Sequence, residues 1–226
     1  MLIFRIICFG WGSCWASFVI TMVQRCLTQP SPLTPLRSVC DHCQKQLTWW
    51  QLIPLVGFIL QGGRCHFCQQ KISPYSTICE FIYGLVWFIL SPLTLTHWLA
   101  LLVLTICLLV ISTTDYLKQW IYPVWLVGLI SLVWLQQKWQ WQSIFAAIAI
   151  LSGLLILNLL IQDGIGIGDL EFIFIVTSCT NLKFALTTIL IASCAGILSC
   201  LLMHLKRLAF VPALSLGVII TLLISS

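Results

Sequence analysis

The chain has 226 residues, of which 60% are hydrophobic and 8% are charged, and its formal net charge is +5. Soluble globular domains are about 25% charged, so this composition excludes them. The sequence also lacks the alternating polar and apolar segments of a membrane β-barrel. It predicts an all-α polytopic membrane protein whose partner is the lipid bilayer. Its positive charge is attributed to membrane topology and not to binding of nucleic acid.

Apolar runs divide the chain into about eight predicted transmembrane helices. They cover about residues 2–24, 77–92, 97–113, 121–136, 142–161, 170–181, 184–204 and 208–225. The first run lacks a convincing signal-peptide cleavage site, so we interpret it as a retained helix. The sixth is short enough to be re-entrant. The predicted organisation is a first transmembrane helix at 1–24, a polar loop at 25–75 and a multi-helix membrane domain at 76–226.

The basic residues predict how these helices are oriented, because cytoplasmic loops are enriched in Lys and Arg. With eight spans and the N-terminus outside, eight basic residues fall inside and three outside. Those inside are Arg25, Arg37, Lys45, Arg64, Lys71, Lys118, Lys206 and Arg207, and those outside are Arg5, Lys138 and Lys183. This orientation makes the polar loop cytoplasmic and brings Asp115 and Asp169 to the cytoplasmic face.

The polar loop contains two C-x-x-C pairs, Cys40 with Cys43 and Cys65 with Cys68, separated by 21 residues. Four thiolates at such a spacing predict a tetrahedral zinc site, and the complete set of sulfur ligands indicates a structural metal with no open position for water. So short a loop builds little core of its own, so a metal would hold it together. A redox dithiol and two chance pairs are the alternatives.

Two acids stand out where apolar runs end or begin. Asp115 follows the third run, and Asp169 lies in a glycine-rich turn before the sixth. Each has an ordinary structural interpretation: Asp169 as a helix N-cap, and Asp115 as a solvated interfacial residue near Lys118. Asp163 in the same turn is the reserve candidate, and Glu80 in the second run is interpreted as a buried polar anchor.

As a pair, Asp115 and Asp169 predict aspartyl protease chemistry. Two neighbouring carboxylates do not both ionise easily, so one is a base that activates water while the other holds a proton. The protonated partner polarises the scissile carbonyl. The sequence has neither a G-x-S-x-G nucleophile elbow nor an H-E-x-x-H metal helix that would favour another hydrolytic mechanism.

The order of these motifs resembles the type IV prepilin peptidases, polytopic aspartyl proteases that remove leader peptides from prepilins and pseudopilins. The resemblance runs nearly end to end and covers both the C-x-x-C loop and the two acid motifs. Its other parts are Gly12-Ser13, Ser17-Phe18, Arg37 to Cys40, Leu52 to Leu55, Gly63 to Cys68, Ile72 to Tyr75, Glu80 and Phe210 to Pro212. The chain's short length and cysteine pattern are similar to members that process competence pseudopilins.

The resemblance implies that Asp115 and Asp169 are the catalytic pair. It also implies cleavage on the cytoplasmic side of the substrate's apolar segment, after a glycine that ends a short basic leader. Many members also methylate the new N-terminal amine, so S-adenosylmethionine is a candidate cofactor, in an activity linked to the cytoplasmic loop. The Gly-x-Gly-Asp motif is similar to presenilin-like proteases too, but the C-x-x-C loop and the 54-residue separation of the acids favour the prepilin group.

The sequence departs from the family pattern at three positions, which bear on methylation and on substrate contact. Glu171 replaces a common lysine and is predicted to raise an active-site pKa by like-charge repulsion. Val124 replaces a common acid, and Asp41 a usual proline. A non-enzymatic alternative also stands: an assembly factor or transporter whose zinc loop docks a partner.

Overall fold

A computed structural model describes residues 1–28, 37–40, 42–91, 94–136, 141–160, 166–203 and 209–225, without the side chains of residues 202 and 203. Within these ranges the protein is helical, and its only β-type pairings are two isolated bridges, Val39 with Gln46 and Arg64 with Lys71. The chain divides into two compact units, Met1–Ser91 and Pro92–Ser226.

Ten α-helices occur in the described ranges, and short 3₁₀ turns lie at Trp49–Leu52 and Val127–Ile130. The helices are α1 (Leu2–Thr28), α2 (Val56–Leu60), α3 (Tyr75–Leu90), α4 (Leu95–Lys118), α5 (Pro123–Leu126), α6 (Ser131–Gln136), α7 (Trp141–Leu160), α8 (Ile167–Cys179), α9 (Leu182–Met203) and α10 (Val211–Ser225). The first unit holds α1 to α3, and the second holds α4 to α10.

Each of the eight apolar runs is mostly helical in its described residues. Four of the resulting helices, α1, α4, α7 and α9, are long and apolar enough to cross a membrane. The predicted all-α membrane architecture is therefore confirmed at this level, while the number of eight spans stays a prediction. The fourth run does not form one continuous helix, because the 3₁₀ turn separates α5 from α6.

Close packing of α1 against α3 organises the first unit. A side chain at Gly12 would clash with the ring of Trp87 and the carbonyl of Tyr83. One at Gly84 would clash with the Ser13 hydroxyl. Small residues at such positions let membrane helices approach closely.

In the second unit more than half of the residues of α4 and of α10 are buried, and α10 packs against both α4 and α9. The hydroxyls of Ser112 and Ser215 are hydrogen-bonded at 2.6 Å and join α4 to α10. Thr188 donates to Thr221 at 3.3 Å and joins α9 to α10. These contacts fix the start of α10 beside the end of α4, where one of the predicted acids lies.

Two helix boundaries differ from the sequence prediction in a way that matters for the acids. Helix α4 continues to Lys118, beyond the predicted end at 113, so Asp115 lies within its last turns. Helix α8 begins at Ile167, before the predicted start at 170, so Asp169 lies inside the helix. The reserve acid Asp163 lies outside the described residues.

Candidate active site and metal centre

Asp115 is a buried acid with 8% of its surface exposed. Its Oδ2 accepts a hydrogen bond of 3.2 Å from the backbone N–H of Val211, the first residue of α10. Lys118, one turn later, is exposed. Burial argues against a solvated interfacial role for Asp115, because an ionisable side chain is costly to bury without a function or a partner.

Asp169 occupies the third position of α8, and Gly166 is the N-cap. The Gly166 N–H donates to the Asp169 carboxylate, so the side chain folds back over the helix start. Asp169 is therefore not itself the N-cap that the sequence allowed. A side chain at Gly168 would clash with Ile121, so this glycine lets the start of α8 approach the segment after α4 closely. The two glycines thus have separate roles in positioning the acid.

The two carboxylates interact electrostatically. Burial and the charge of Asp115 raise the pKa of Asp169 to about 6, and the hydrogen bond from the Gly166 N–H opposes this shift. Asp169 precedes the predicted sixth span. Glu171, which was predicted to raise an active-site pKa, is exposed and is not among the causes of the shift. Repulsion between the two charges favours, at about pH 6 and below, a state with one carboxylate ionised and Asp169 protonated.

The four cysteines of the two C-x-x-C pairs come together in the first unit. Their sulfur atoms all lie within 4.8 Å of one another, and Sγ of Cys40 is 3.9 Å from Sγ of Cys68. Four sulfurs around one zinc ion at about 2.3 Å would be separated by about 3.8 Å, so the cluster fits such an ion with little movement. The four residues could hold a metal ion.

The two cysteine pairs have the same local geometry. Gln44 and Gln69 follow the two pairs, both with φ of 57°, and each N–H donates at 2.9 Å to the carbonyl of the first cysteine of its pair. Backbone N–H groups of Cys68 and Phe67 lower the pKa of the Cys65 thiol to about 6. The turn after Cys65 therefore favours a thiolate at this one position, and a thiolate is the form that binds metal.

The predicted role of Glu80 as a buried polar anchor is confirmed, since only 6% of its surface is exposed. Its Oε2 accepts the Leu55 N–H at 2.8 Å, and its Oε1 accepts the Ser76 hydroxyl at 3.1 Å. Sequence reasoning did not find the Leu55 contact, nor the donors at Val211 and Gly166. The only signal for Val211 was its place in the motif Phe210 to Pro212, near the start of the last run.

Comparison with known families assigns both regions of this helical membrane protein to a class of membrane peptidases. The model of the bacterial peptidase A24 N-terminal domain matches residues 11–93, which contain the cysteines. The model of the type IV leader peptidase family matches residues 102–201, which contain both aspartates. The chain belongs to the type IV leader peptidase family.

Curated relatives extend over most of the chain. An Escherichia coli type 4 prepilin-like proteins leader peptide-processing enzyme is 29% identical over 82% of this chain and 75% of its own length. A Neisseria gonorrhoeae prepilin leader peptidase/N-methyltransferase is 26% identical over 80% of this chain and 68% of its own length. A Bacillus subtilis protein of the same name is 37% identical over 30% of this chain and 27% of its own length. No solved structure matches significantly.

Proposed function

We propose that this protein is a membrane aspartyl endopeptidase that removes the leader peptide of type IV prepilin-like proteins. The observation that carries the proposal is the electrostatic interaction of Asp115 with Asp169 inside the region that matches the leader peptidase family. The E. coli relative is named for processing such leader peptides. Substrates of this kind carry an apolar segment, and a membrane enzyme can meet that segment in the bilayer.

The surroundings of the two acids favour different roles for them. Asp115 accepts a hydrogen bond at the N-terminus of α10, a site suited to an ionised carboxylate. The pKa of Asp169 is raised to about 6, so this residue holds a proton below about pH 6. Asp115 then removes a proton from the attacking water, and Asp169 donates a hydrogen bond to the scissile carbonyl and stabilises the developing negative charge. The pair titrates as a unit, so this assignment describes its single-proton state.

We also propose that cleavage occurs on the cytoplasmic side and that the N-terminus of the chain lies outside. Support comes from the excess of basic residues in the predicted cytoplasmic segments. A structural zinc ion in the cluster of Cys40, Cys43, Cys65 and Cys68 is part of the proposal, and its support is the mutual distance of the four sulfurs. With four sulfur ligands, this metal would hold the loop together and activate no water.

Methylation of the new N-terminal amine is a separate proposal, supported by the names of relatives such as the N. gonorrhoeae enzyme. S-adenosylmethionine would supply the methyl group. Mass spectrometry of a processed prepilin from membranes that contain this protein and the methyl donor decides it: we expect a mature N-terminus heavier by one methyl group. An unmodified amine on fully processed substrate would contradict methylation and leave the peptidase proposal intact.

The peptidase proposal is tested with Asp115→Asn and Asp169→Asn, which keep the side-chain size but remove acid–base chemistry. Each is expected to slow leader removal by about 10²–10⁴-fold in membranes, as losing a general acid or base does. Glu171→Gln is the matched control, since that acid is exposed and near in sequence. Immunoblots of membrane fractions check insertion.

Normal processing by either asparagine variant would contradict the aspartyl mechanism. A wild type that cleaves no prepilin-like substrate would favour the non-enzymatic alternative, in which the cysteine module docks a partner.

A further inference from the structure

Helix α2 lies in the polar loop, yet most of its apolar side chains point outward and are exposed. Val56, Ile59 and Leu60 lie on one face by helical spacing and are 44%, 69% and 66% exposed. The inward position is Gly57, where any side chain would clash with the backbone of Gln51. A short helix surrounded by water would bury its apolar face, so this arrangement indicates an apolar environment on the outside.

The residues just before α2 also expose apolar side chains. Trp49 is 78% exposed, and Leu52 and Ile53 are exposed as well. The sequence from 42 to 79 contains no Asp or Glu. Of its three exposed basic residues, Lys45 precedes α2, and Arg64 and Lys71 follow it. Exposed tryptophan beside an apolar face, followed by basic side chains, is typical of chain at a membrane–water interface with anionic lipid.

The contacts of Glu80 place α2 at membrane depth. The carbonyl of Glu80 accepts the Ser13 hydroxyl at 3.0 Å, so Glu80 is level with the middle of the candidate span α1. Its carboxylate accepts the Leu55 N–H, directly before α2. At about 1.5 Å per residue, Ser13 is about 12 Å along the helix from Arg5 and about 18 Å from Arg25. The uncharged stretch between these arginines matches a hydrocarbon core of about 30 Å.

Several backbone N–H groups around α2 have partners within the protein, as a membrane interior requires. Leu55 has φ of 62° and ψ of −52°, and the Val56 N–H donates at 2.6 Å to the carbonyl of Pro54. This is a classic γ-turn, a strained conformation for a non-glycine residue. Glu80 takes the remaining Leu55 N–H, and the Gly57 N–H donates to Ile53 at 2.8 Å.

We propose that residues 52–60, inside the predicted cytoplasmic loop, form a re-entrant segment embedded in the bilayer. The apolar face of α2 contacts lipid acyl chains, and Arg64 and Lys71 lie toward anionic headgroups. Glu80 is the positioning residue that holds the γ-turn against α3. The segment brings the loop that contains the cysteine cluster down to the membrane surface. This proposal concerns only the first unit and does not depend on the peptidase activity.

The test measures the depth of α2 in the full-length protein. The probe is a fluorescent amino acid that is excited at a wavelength where tryptophan does not absorb. It replaces Ile59 in one variant and Gln70, an exposed polar residue of the same loop, in another. Both are placed in nanodiscs of phosphatidylethanolamine and phosphatidylglycerol whose acyl chains carry bromine. We expect quenching by bromine to be at least about twofold stronger at position 59, and quenching by aqueous iodide to be stronger at position 70. Equal iodide quenching at both positions would overturn the proposal.

A second measurement separates lipid from protein as the occupant. A photo-cross-linking amino acid at position 59 is activated in native membranes, and the products are identified by mass spectrometry. Lipid adducts as the main product support the proposal. Adducts to a second copy of this chain or to another protein would overturn it, since the apolar face would then be a protein interface. Zinc content and leader removal of each variant establish that the labelled protein is folded.

Discussion

The cysteine cluster and the acid pair are two sites assembled by different means. In the cluster, each C-x-x-C pair forms its own turn, and the turns after Cys43 and Cys68 repeat the same backbone geometry. No such local turn brings the two acids together. Asp115 and Asp169 are separated by 54 residues, and they interact only because the start of α8 approaches Ile121 in the segment after α4. A locally encoded site should tolerate changes in helix packing, whereas one made by packing should not.

The largest effect that separates the two sites is expected from Gly168→Leu. The new side chain clashes with Ile121 and moves the start of α8, which positions Asp169. A displacement of about 1 Å in a catalytic group can cost about 10²-fold in rate, so we expect a loss of that order in leader removal. Gly153→Leu in α7 is the control, because nothing lies near that glycine. Equal activity of the two variants would contradict the role assigned to Gly168.

A double variant, Cys40→Ser with Cys43→Ser, changes the cysteine cluster and not the acid pair. Wild-type protein is expected to bind about one zinc per chain, and the double variant to lose it, because two of four ligands are gone. Metal analysis of purified protein measures this. The exposed cysteines Cys14 and Cys26 provide the control, since their replacement should leave the metal in place. Wild-type protein that purifies free of metal would contradict the zinc site.

A smaller, graded effect is expected from pH. The pKa of Asp169 is raised to about 6, and the proposed role of this residue requires the protonated form. The protonated fraction falls as pH rises through that value, so kcat/KM should decline above about pH 6, by up to about tenfold per pH unit. Initial rates of leader removal across pH 5 to 8, in buffers of constant ionic strength, provide the profile. A rate that rises steadily over this range would contradict the assignment of Asp169 as the acid.

The smallest effect is expected from Glu171→Lys, which introduces the residue common in the family. Glu171 is exposed, so its charge is screened by water, and leader removal should change by less than about twofold. The same variant can be assayed for methylation of the product. A tenfold change in peptidase rate would show that the third carboxylate acts on the pair after all.

Much of the fold could be predicted from the sequence because local apolar composition is enough to indicate a membrane helix. Every predicted run is mostly helical in its described residues, and the four-cysteine cluster forms at the predicted positions. The ends of helices were harder. Helix α4 extends past the polar run that includes Thr114 and Asp115, since burial against its neighbours outweighs the polarity of those residues.

Composition and spacing alone determined that this chain is a helical membrane protein with two candidate acids and a thiol cluster. These properties depend on residue types within a few positions of one another, and a single sequence records them directly. The tertiary structure decided that Val211 donates to Asp115, that Gly166 rather than Asp169 caps α8, and that Glu80 holds Leu55. Each of these contacts joins a side chain to a backbone N–H, a group that every residue except proline carries. Residue type therefore gives no sign of the partner, and only the packing of the helices selects it.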